Sequence, residues 1–176
     1  SGDTEKIIGN WINNNKDKRK DIILATKVVG NGFKYIRNGG PITKETIKVA
    51  LHGSLKRLKT DYIDLYQLHW PNRGSYHFRS YWNYKPEKQD SKNITDEFLD
   101  IINTLNDFKK EGLIRAIGVS NETCWGVMKL NEIIKDIENL CIASIQNEYS
   151  LMCRLIDNDF NELSINENIP LIAYSP

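Results

Sequence analysis

The segment DYIDLYQLHW, residues 61–70, decides the fold class that the sequence predicts. Its apolar run predicts a buried β-strand, and alternate positions place one set of side chains on a single face, namely Ile63, Leu65, Gln67 and His69. The strand ends at His69 because PNRG, residues 71–74, cannot continue a central strand. A histidine at the end of a buried strand stands where α/β proteins place reactive groups, although such a histidine is also often a hydrogen-bonded structural residue.

Composition and charge indicate one ordinary globular domain over residues 1–176. The chain is 40% hydrophobic and 27% charged, and its length allows a sizeable core. A formal net charge of +1 gives no reason to expect nucleic acid or an acidic membrane surface, and no apolar run is long enough to span a membrane. The three cysteines are odd in number and lack metal-ligand spacing, so we expect a cytoplasmic protein without a metal site.

Helical and strand patterns alternate along the chain. Helices are predicted over 3–15, after an N-cap at Thr43, after an N-cap at Thr95, over 122–137 and within 157–168, and strands over 22–29, 62–69, 114–121, 143–149 and 170–175. This alternation predicts an α/β fold of parallel βαβ units, either a doubly wound open sheet or part of a (β/α)8 barrel. No glycine-rich phosphate loop joins any strand to its helix, which favours the barrel, with about five of its strands present.

Polar side chains end the predicted strands, and in a parallel barrel all these ends meet at one rim. The residues concerned are Lys27, His69, Ser120, Asn121, Gln146 and Tyr174. Lysine can lower the pKa of a neighbour, imidazole can hydrogen-bond a carbonyl, amides can fix a flat carboxamide, and a phenol ring can stack on a planar heterocycle. The pattern therefore predicts polar catalysis on a small molecule.

Several of these residues also have a purely structural interpretation. Lys27 could extend its charged end to solvent from a strand terminus, and Asn121 could be the N-cap of the next helix. Gln67 could hydrogen-bond a buried neighbour, and Glu148 could be a salt-bridge partner.

Residues 70–93 predict a long loop, and this loop is rich in aromatic residues. Its composition favours an ordered lid or the wall of a substrate pocket, beginning with Trp70. His77 in this loop and His52 on the preceding helix are predicted to be surface residues. The charged segment 16–21 is predicted to be a solvated loop.

Four segments resemble the aldo-keto reductases. They are LKRLKTDYIDLYQLHWP (55–71), KEGLIRAIGVSNETCWG (110–126), SIQNEYSL (144–151) and IAYSP (172–176). Together they cover nearly the whole chain in the order of that family. The HWP and GVSNET forms resemble the bacterial members that have a long loop after the histidine strand.

The resemblance implies a (β/α)8 TIM barrel that reduces aldehydes or ketones to alcohols by direct hydride transfer from NADPH, with NADH possible. It implies Lys27 and His69 as catalytic residues, with the histidine orienting a small-molecule carbonyl substrate and Trp70 lining the substrate pocket. It also implies a cofactor site in which side chains hold the nicotinamide carboxamide and an aromatic ring stacks on it, built from Ser120, Asn121, Gln146, Tyr174 and Ser175.

The family's catalytic Asp and Tyr have no counterpart in the chain, and the resemblance places them upstream of Ser1. The phosphate-binding region, which selects NADPH or NADH, would follow Pro176. We therefore expect the central section of an incomplete barrel. Two hypotheses follow, namely a section of an intact NAD(P)H-dependent oxidoreductase, or a truncated, non-catalytic binding or scaffold protein. Oligomeric state is left open.

Overall fold

Five parallel strands form one sheet in the computed structural model, which describes residues 2–176. They are β1 (Ala25–Val28), β2 (Ile63–Leu68), β3 (Ile114–Ser120), β4 (Ile142–Glu148) and β5 (Leu171–Tyr174). Their spatial order is their sequence order, β1-β2-β3-β4-β5. A doubly wound sheet reverses its strand order at a switch point, whereas a barrel does not. The observed order is therefore that of a barrel section.

The helices form one layer in the order of the strands. They are α1 (Asp3–Asn14), α2 (Lys44–Leu58), α3 (Ser91–Lys110), α4 (Cys124–Ile134) and α5 (Asp159–Asn166). Each helix contacts the next one along the chain, which places all five on the same side of the sheet. Segment 16–21, predicted to be a loop, is a 3-10 helix instead.

The hydrophobic core lies between the sheet and the helix layer. On β2, Tyr66 and Leu68 are buried and pair in register with Ile117 and Val119 of β3. The helices cover these residues with fully buried aliphatic side chains, namely Ile47, Leu51, Ile102, Leu105, Val127 and Leu130. Burying one such side chain stabilises the fold by about 1.5–3 kcal/mol, so this interface holds the strands in place.

The start of α2 confirms the predicted N-cap at Thr43 and also has a hydrophobic staple. The Oγ1 atom of Thr43 accepts a hydrogen bond from the backbone N of Thr46 (3.3 Å), and the Oγ1 atom of Thr46 accepts one from the backbone N of Thr43 (2.7 Å). Ile42 and Ile47, on either side of the cap, are both buried. These contacts satisfy backbone donors that a helix terminus otherwise leaves free.

The predicted start of α3 is wrong by five residues. The helix begins at Ser91 and its N-cap is Asp90, whose carboxylate accepts from the backbone N of Lys92 (3.0 Å) and of Asn93 (3.3 Å). The additional turn brings Ile94 into the core. Aspartate is the more favourable cap, and the earlier start also buries an additional apolar residue, so both effects favour the observed boundary.

The opposite face of the sheet carries the polar residues of the predicted strand ends. Lys27 pairs in register with Gln67, and Gln67 pairs with Gly118. A Cβ atom at Gly118 would lie 3.0 Å from Oγ of Ser144 and 3.1 Å from Cγ of Gln67, so the absent side chain leaves room for both. This face lines the inside of a barrel, and the candidate site lies on it at the C-terminal ends of the strands.

Candidate active site

His69 and Lys27 lie side by side at the ends of β2 and β1. The backbone N of His69 donates to the carbonyl oxygen of Val28 (2.9 Å), which fixes the imidazole beside the end of β1. Burial and the charge of Lys27 lower the pKa of His69 to about 4. Burial also lowers the pKa of Lys27, which has no hydrogen-bond or ion-pair partner among residues 2–176. The site therefore contains a neutral imidazole and a partly desolvated, unpaired ammonium group.

Asn121 connects the ends of β2, β3 and β5. Its Nδ2 atom donates to the carbonyl oxygen of His69 (2.9 Å) and to Oγ of Ser120 (3.1 Å). The Tyr174 hydroxyl donates to Oδ1 of Asn121, and the Ser120 hydroxyl donates to the carbonyl oxygen of Gln146 (2.6 Å). Four of the predicted residues thus form one hydrogen-bonded group with the backbone of His69.

The predicted N-cap role of Asn121 is wrong. Thr123 caps α4, because its Oγ1 atom accepts from the backbone N of Gly126 (3.2 Å). Asn121 has a φ of 52°, a left-handed conformation that asparagine adopts more readily than most residues. Its side chain is therefore available for the contacts at the strand ends.

The ends of β4 and β5 leave two predicted residues with free polar groups. The side-chain amide of Gln146 has no hydrogen-bond partner in the described part of the chain, and neither does the hydroxyl of Ser175, which is exposed. Burial raises the pKa of Tyr174, and the nearby Glu148 raises it further, so the phenol stays protonated and can donate to Asn121. The alternative interpretation of Glu148 as a salt-bridge partner is wrong within residues 2–176, where this carboxylate forms no ion pair.

Trp70 stands next to His69 in a group of aromatic rings. Its indole Nε1 donates to the carbonyl oxygen of Asn31 (2.9 Å), and its ring centroid lies 4.6 Å from that of His69. Phe33 and Phe78 approach the same indole, with centroid distances of 5.3 Å and 5.7 Å. Both phenylalanines are about half exposed, so they present an apolar surface beside the indole.

The long loop after β2 is anchored to the site by a histidine and an arginine. His77, predicted to be a surface residue, is only 5% exposed, and its Nε2 atom is 3.0 Å from the carbonyl oxygen of Glu122. Arg73 forms a buried ion pair with the Glu122 carboxylate. No local pattern in the sequence indicates either contact, because the partners lie more than forty residues apart. His52 is exposed, as predicted.

The structural interpretation of Gln67 does not agree with its surroundings. Gln67 is 1% exposed, yet its Nε2 atom has no hydrogen-bond partner in the part of the chain that the structure describes.

Residues 2–176 contain no group of three or more His, Cys, Asp or Glu side chains that could hold a metal ion. Within the same residues, no helix combines the length and apolar character needed to cross a membrane.

The sequence model of the Aldo/keto reductase family matches residues 1–176. The chain belongs to this family. It is 38% identical over 177 residues to Protein tas of Escherichia coli strain K12, an alignment that covers 99% of this chain and 50% of that protein. The assignment confirms the family that the four sequence segments predicted.

Two solved aldo-keto reductase structures resemble this chain in fold. The thermostable aldo-keto reductase Tm1743, in complex with the inhibitor epalrestat, matches with a TM-score of 0.69 at 29% identity, over 99% of this chain and 51% of its own. An aldo-keto reductase from Klebsiella pneumoniae in complex with NADPH matches with a TM-score of 0.67 at 24% identity, over 98% and 48%. The five strands are thus part of a (β/α)8 barrel, and the chain spans about half the length of these relatives.

Proposed function

We propose that this aldo-keto reductase chain belongs to an NAD(P)H-dependent oxidoreductase that reduces an aldehyde or ketone to an alcohol by direct hydride transfer. The observation that carries the proposal is the convergence of Lys27 and His69 with the Asn121–Tyr174 group at one end of the barrel section. The family assignment supports the same chemistry.

His69 is proposed to orient the carbonyl substrate. With a pKa of about 4, its imidazole is neutral near pH 7 and can donate one N–H to the carbonyl oxygen. Lys27 adds an unpaired positive charge beside it, which lowers the pKa of an acidic group placed nearby and stabilises charge that develops on the oxygen. By resemblance to the family, the proton for the product alcohol comes from a tyrosine that residues 1–176 do not supply.

The residues at the ends of β4 and β5 fit a nicotinamide carboxamide. Gln146 offers an unpaired amide, whose N–H groups suit the carboxamide oxygen. Oδ1 of Asn121 accepts from Tyr174 and keeps one lone pair for the carboxamide N–H. The same hydrogen bond fixes the Tyr174 ring for stacking, and Ser175 lies exposed beside it. A reduced nicotinamide held here would supply the hydride. NADPH is the proposed cofactor, supported by the NADPH complex of the Klebsiella neighbour.

The aromatic group around Trp70 supports a flat, apolar carbonyl compound as substrate. Phe33 and Phe78 expose ring surface near the Trp70 indole, whose ring in turn lies beside the imidazole that would bind the carbonyl oxygen. Rings placed in this way bury the faces of an aromatic substrate and contribute about 0.5–1.5 kcal/mol per ring pair beyond the area that they cover.

The test is a panel of aromatic and aliphatic carbonyl compounds, assayed in the full-length protein with NADPH and with NADH by the absorbance of the reduced nicotinamide. His69→Gln and Lys27→Met should each lower kcat/KM by about 10²- to 10⁴-fold, the range of an acid–base or electrostatic group. His52→Gln and Lys48→Met change the same residue types at exposed positions on α2 and should have no effect. Absence of turnover with every substrate and both cofactors would refute the proposal and favour the non-catalytic alternative.

A further inference from the structure

The contact between Arg73 and Glu122 is a buried, two-pronged ion pair between distant parts of the chain. Nη1 of Arg73 lies 3.1 Å from Oε2 of Glu122, and Nη2 contacts Oε1, so the guanidinium and carboxylate planes meet along two bonds. Nη2 also donates to Oγ1 of Thr123 (3.0 Å). The two charged side chains are only 5% and 4% exposed.

Close packing encloses this ion pair on several sides. The guanidinium carbon of Arg73 lies 5.4 Å from the ring centroid of Phe98 and 5.1 Å from that of Trp125. A Cβ atom at Gly126 would overlap both Oε1 of Glu122 and Nη2 of Arg73, so the pair occupies space that only glycine leaves open. Burying two charges costs desolvation energy that apolar residues avoid, and stability alone is therefore a weak reason for such a pair.

Both members of the ion pair are close in sequence to residues of the candidate site, Glu122 to the proposed nicotinamide site and Arg73 to the proposed carbonyl site. Glu122 follows Asn121 directly, and Asn121 donates to the carbonyl oxygen of His69. Arg73 lies on the loop that continues from His69 and Trp70. The segment from His69 to Arg73 is therefore closed into a ring by the ion pair at one end and by the Asn121 amide at the other.

Further contacts fix the Glu122 end of this ring. The Glu122 carbonyl oxygen accepts from Nδ2 of Asn147 in β4 (3.3 Å) and is 3.0 Å from Nε2 of His77. Oε1 of Glu122 also accepts from the backbone N of Thr123 at the cap of α4 (2.7 Å). Glu122 is thus held to β4 and to α4, while Arg73 connects its side chain, and His77 its backbone carbonyl, to the loop.

We propose that Arg73 and Glu122 are positioning residues that hold the loop beginning at Trp70 in register with Asn121, so that the carbonyl site and the nicotinamide site are set together. For its catalytic readouts the inference rests on the proposed function. Both side chains are buried, so their proposed role is exerted through the loop and Asn121 and not through contact with substrate or cofactor. Loss of the pair lets the loop shift relative to Asn121, which moves Trp70 and the His69 carbonyl oxygen at the same time.

The experiment uses the full-length protein with Arg73→Met, Glu122→Gln and the double variant Arg73→Met/Glu122→Met, which removes both charges. Arg115→Met is the matched control, because Arg115 is also ion-paired but lies near the start of β3 with its side chain 58% exposed. Measured quantities are KM and kcat for a carbonyl substrate, the Kd of NADPH from protein fluorescence, the urea midpoint, and hydrogen exchange of segments 70–84 and 119–126.

Arg73→Met should raise the carbonyl KM and the NADPH Kd together, each by about 10- to 100-fold, and should speed exchange in both segments. The double variant should recover the urea midpoint but not KM, Kd or exchange, because packing replaces the charges without restoring the register. If the ion pair served only stability, Arg73→Met would lower the urea midpoint and leave the carbonyl KM and the NADPH Kd unchanged. That outcome, or a change in only one segment, would overturn the proposal.

The experiment distinguishes failure of the positioning role of Arg73 and Glu122 from failure of the proposed reductase function. If the wild-type protein binds NADPH without turnover, the proposed function fails, and Kd with hydrogen exchange decides the positioning role. If it neither binds nor turns over NADPH, exchange alone decides. Segments 70–84 and 119–126 must then lose protection together in Arg73→Met, and independent behaviour of the two segments would refute the inference.

Discussion

We expect the ion pairs of Asp64 to contribute more to the free energy of unfolding than the exposed ion pairs do. We expect them to have no effect on catalysis. Its carboxylate accepts from the backbone N of Leu24 (3.0 Å) and pairs with Arg19 (2.8 Å) and Arg115 (2.8 Å). The side chains of Asp64 and Arg19 are 9% and 10% exposed, whereas that of Arg115 is 58% exposed. These contacts lie near the start of β2, at the end of the barrel section opposite the candidate site, where side chains serve stability.

Asp64→Asn removes the charge and keeps the shape. Breaking a buried ion pair costs about 3–5 kcal/mol, and the exposed pair with Arg115 adds about 0–1 kcal/mol. Two features reduce this cost. The asparagine oxygen can still accept from Leu24, and Arg19 keeps hydrogen bonds to Oγ1 of Thr60 (2.9 Å) and to the carbonyl oxygen of Tyr62 (2.8 Å). We therefore expect a loss of about 2–3 kcal/mol in the free energy of unfolding.

Urea denaturation of the full-length protein measures this loss through the midpoint at constant m-value. Arg115→Met is the control and should cost less than about 1 kcal/mol, because the Arg115 side chain is 58% exposed. Neither variant should change KM for substrate or the Kd of NADPH. A loss below about 0.5 kcal/mol for Asp64→Asn, or equal losses in the two variants, would refute the assignment of the buried pair as the stabilising contact.

The pH dependence of the Asp64 contribution has a defined sign. Burial raises the pKa of this carboxyl, but the Leu24 amide and the two guanidinium groups outweigh burial and lower it below its ordinary value. The stabilisation is therefore present above the unfolded pKa of about 3.9 and is lost as pH falls through the lower folded value. The difference between wild type and Asp64→Asn should be constant from pH 7 to about 5 and shrink at lower pH. A difference that grows on acidification would contradict this.

Three further predictions concern packing and the site. Gly9→Ala should lower the free energy of unfolding by about 1–3 kcal/mol or more, measured by urea denaturation, because its Cβ would overlap a backbone oxygen of α2. Gly53→Ala, whose Cβ meets only a flexible side chain, should be neutral or stabilising. Gly30→Ala should raise the carbonyl KM with little change in NADPH Kd, because its Cβ would lie 2.5 Å from the Trp70 indole; an unchanged KM would remove Trp70 from the substrate pocket. The pH profile of kcat/KM should show no His69 titration near its ordinary pKa of about 6.5, since protonation of this imidazole begins only as pH approaches 4; a His69-dependent fall near pH 6.5 would contradict the burial argument.

Periodicity identified the elements but did not show which apolar residues the fold would cover. In α1, Ile12 is 2% exposed, whereas Ile7, an apolar residue of the same predicted helix, is 70% exposed. The start of α3 was misplaced for a related reason, since Asp90 and Thr95 are both suitable caps. Local propensity sets the type of element, whereas the surface that a neighbouring element covers sets its limits.

The strand ends were predictable because a parallel barrel brings them together by topology. Lys27, His69 and Asn121 each lie at or just after the end of an apolar strand in the sequence, so their convergence needed no knowledge of side-chain contacts. Phe33 and Arg73 lie on loops, where no periodic pattern restricts the side chain. Their places beside Trp70 and Glu122 became visible only in the structure.

The sequence by itself determined the alternation of strands and helices, the family, and the set of polar residues that end the strands, because each depends on local pattern and order along the chain. Only the tertiary structure decided that His77 is buried, that Asn121 bonds to the His69 carbonyl instead of capping α4, and that Arg73 pairs with Glu122. The physical reason is that these contacts join segments separated by more than forty residues. Their geometry follows from how the loops pack on the barrel ends, and no local propensity specifies it.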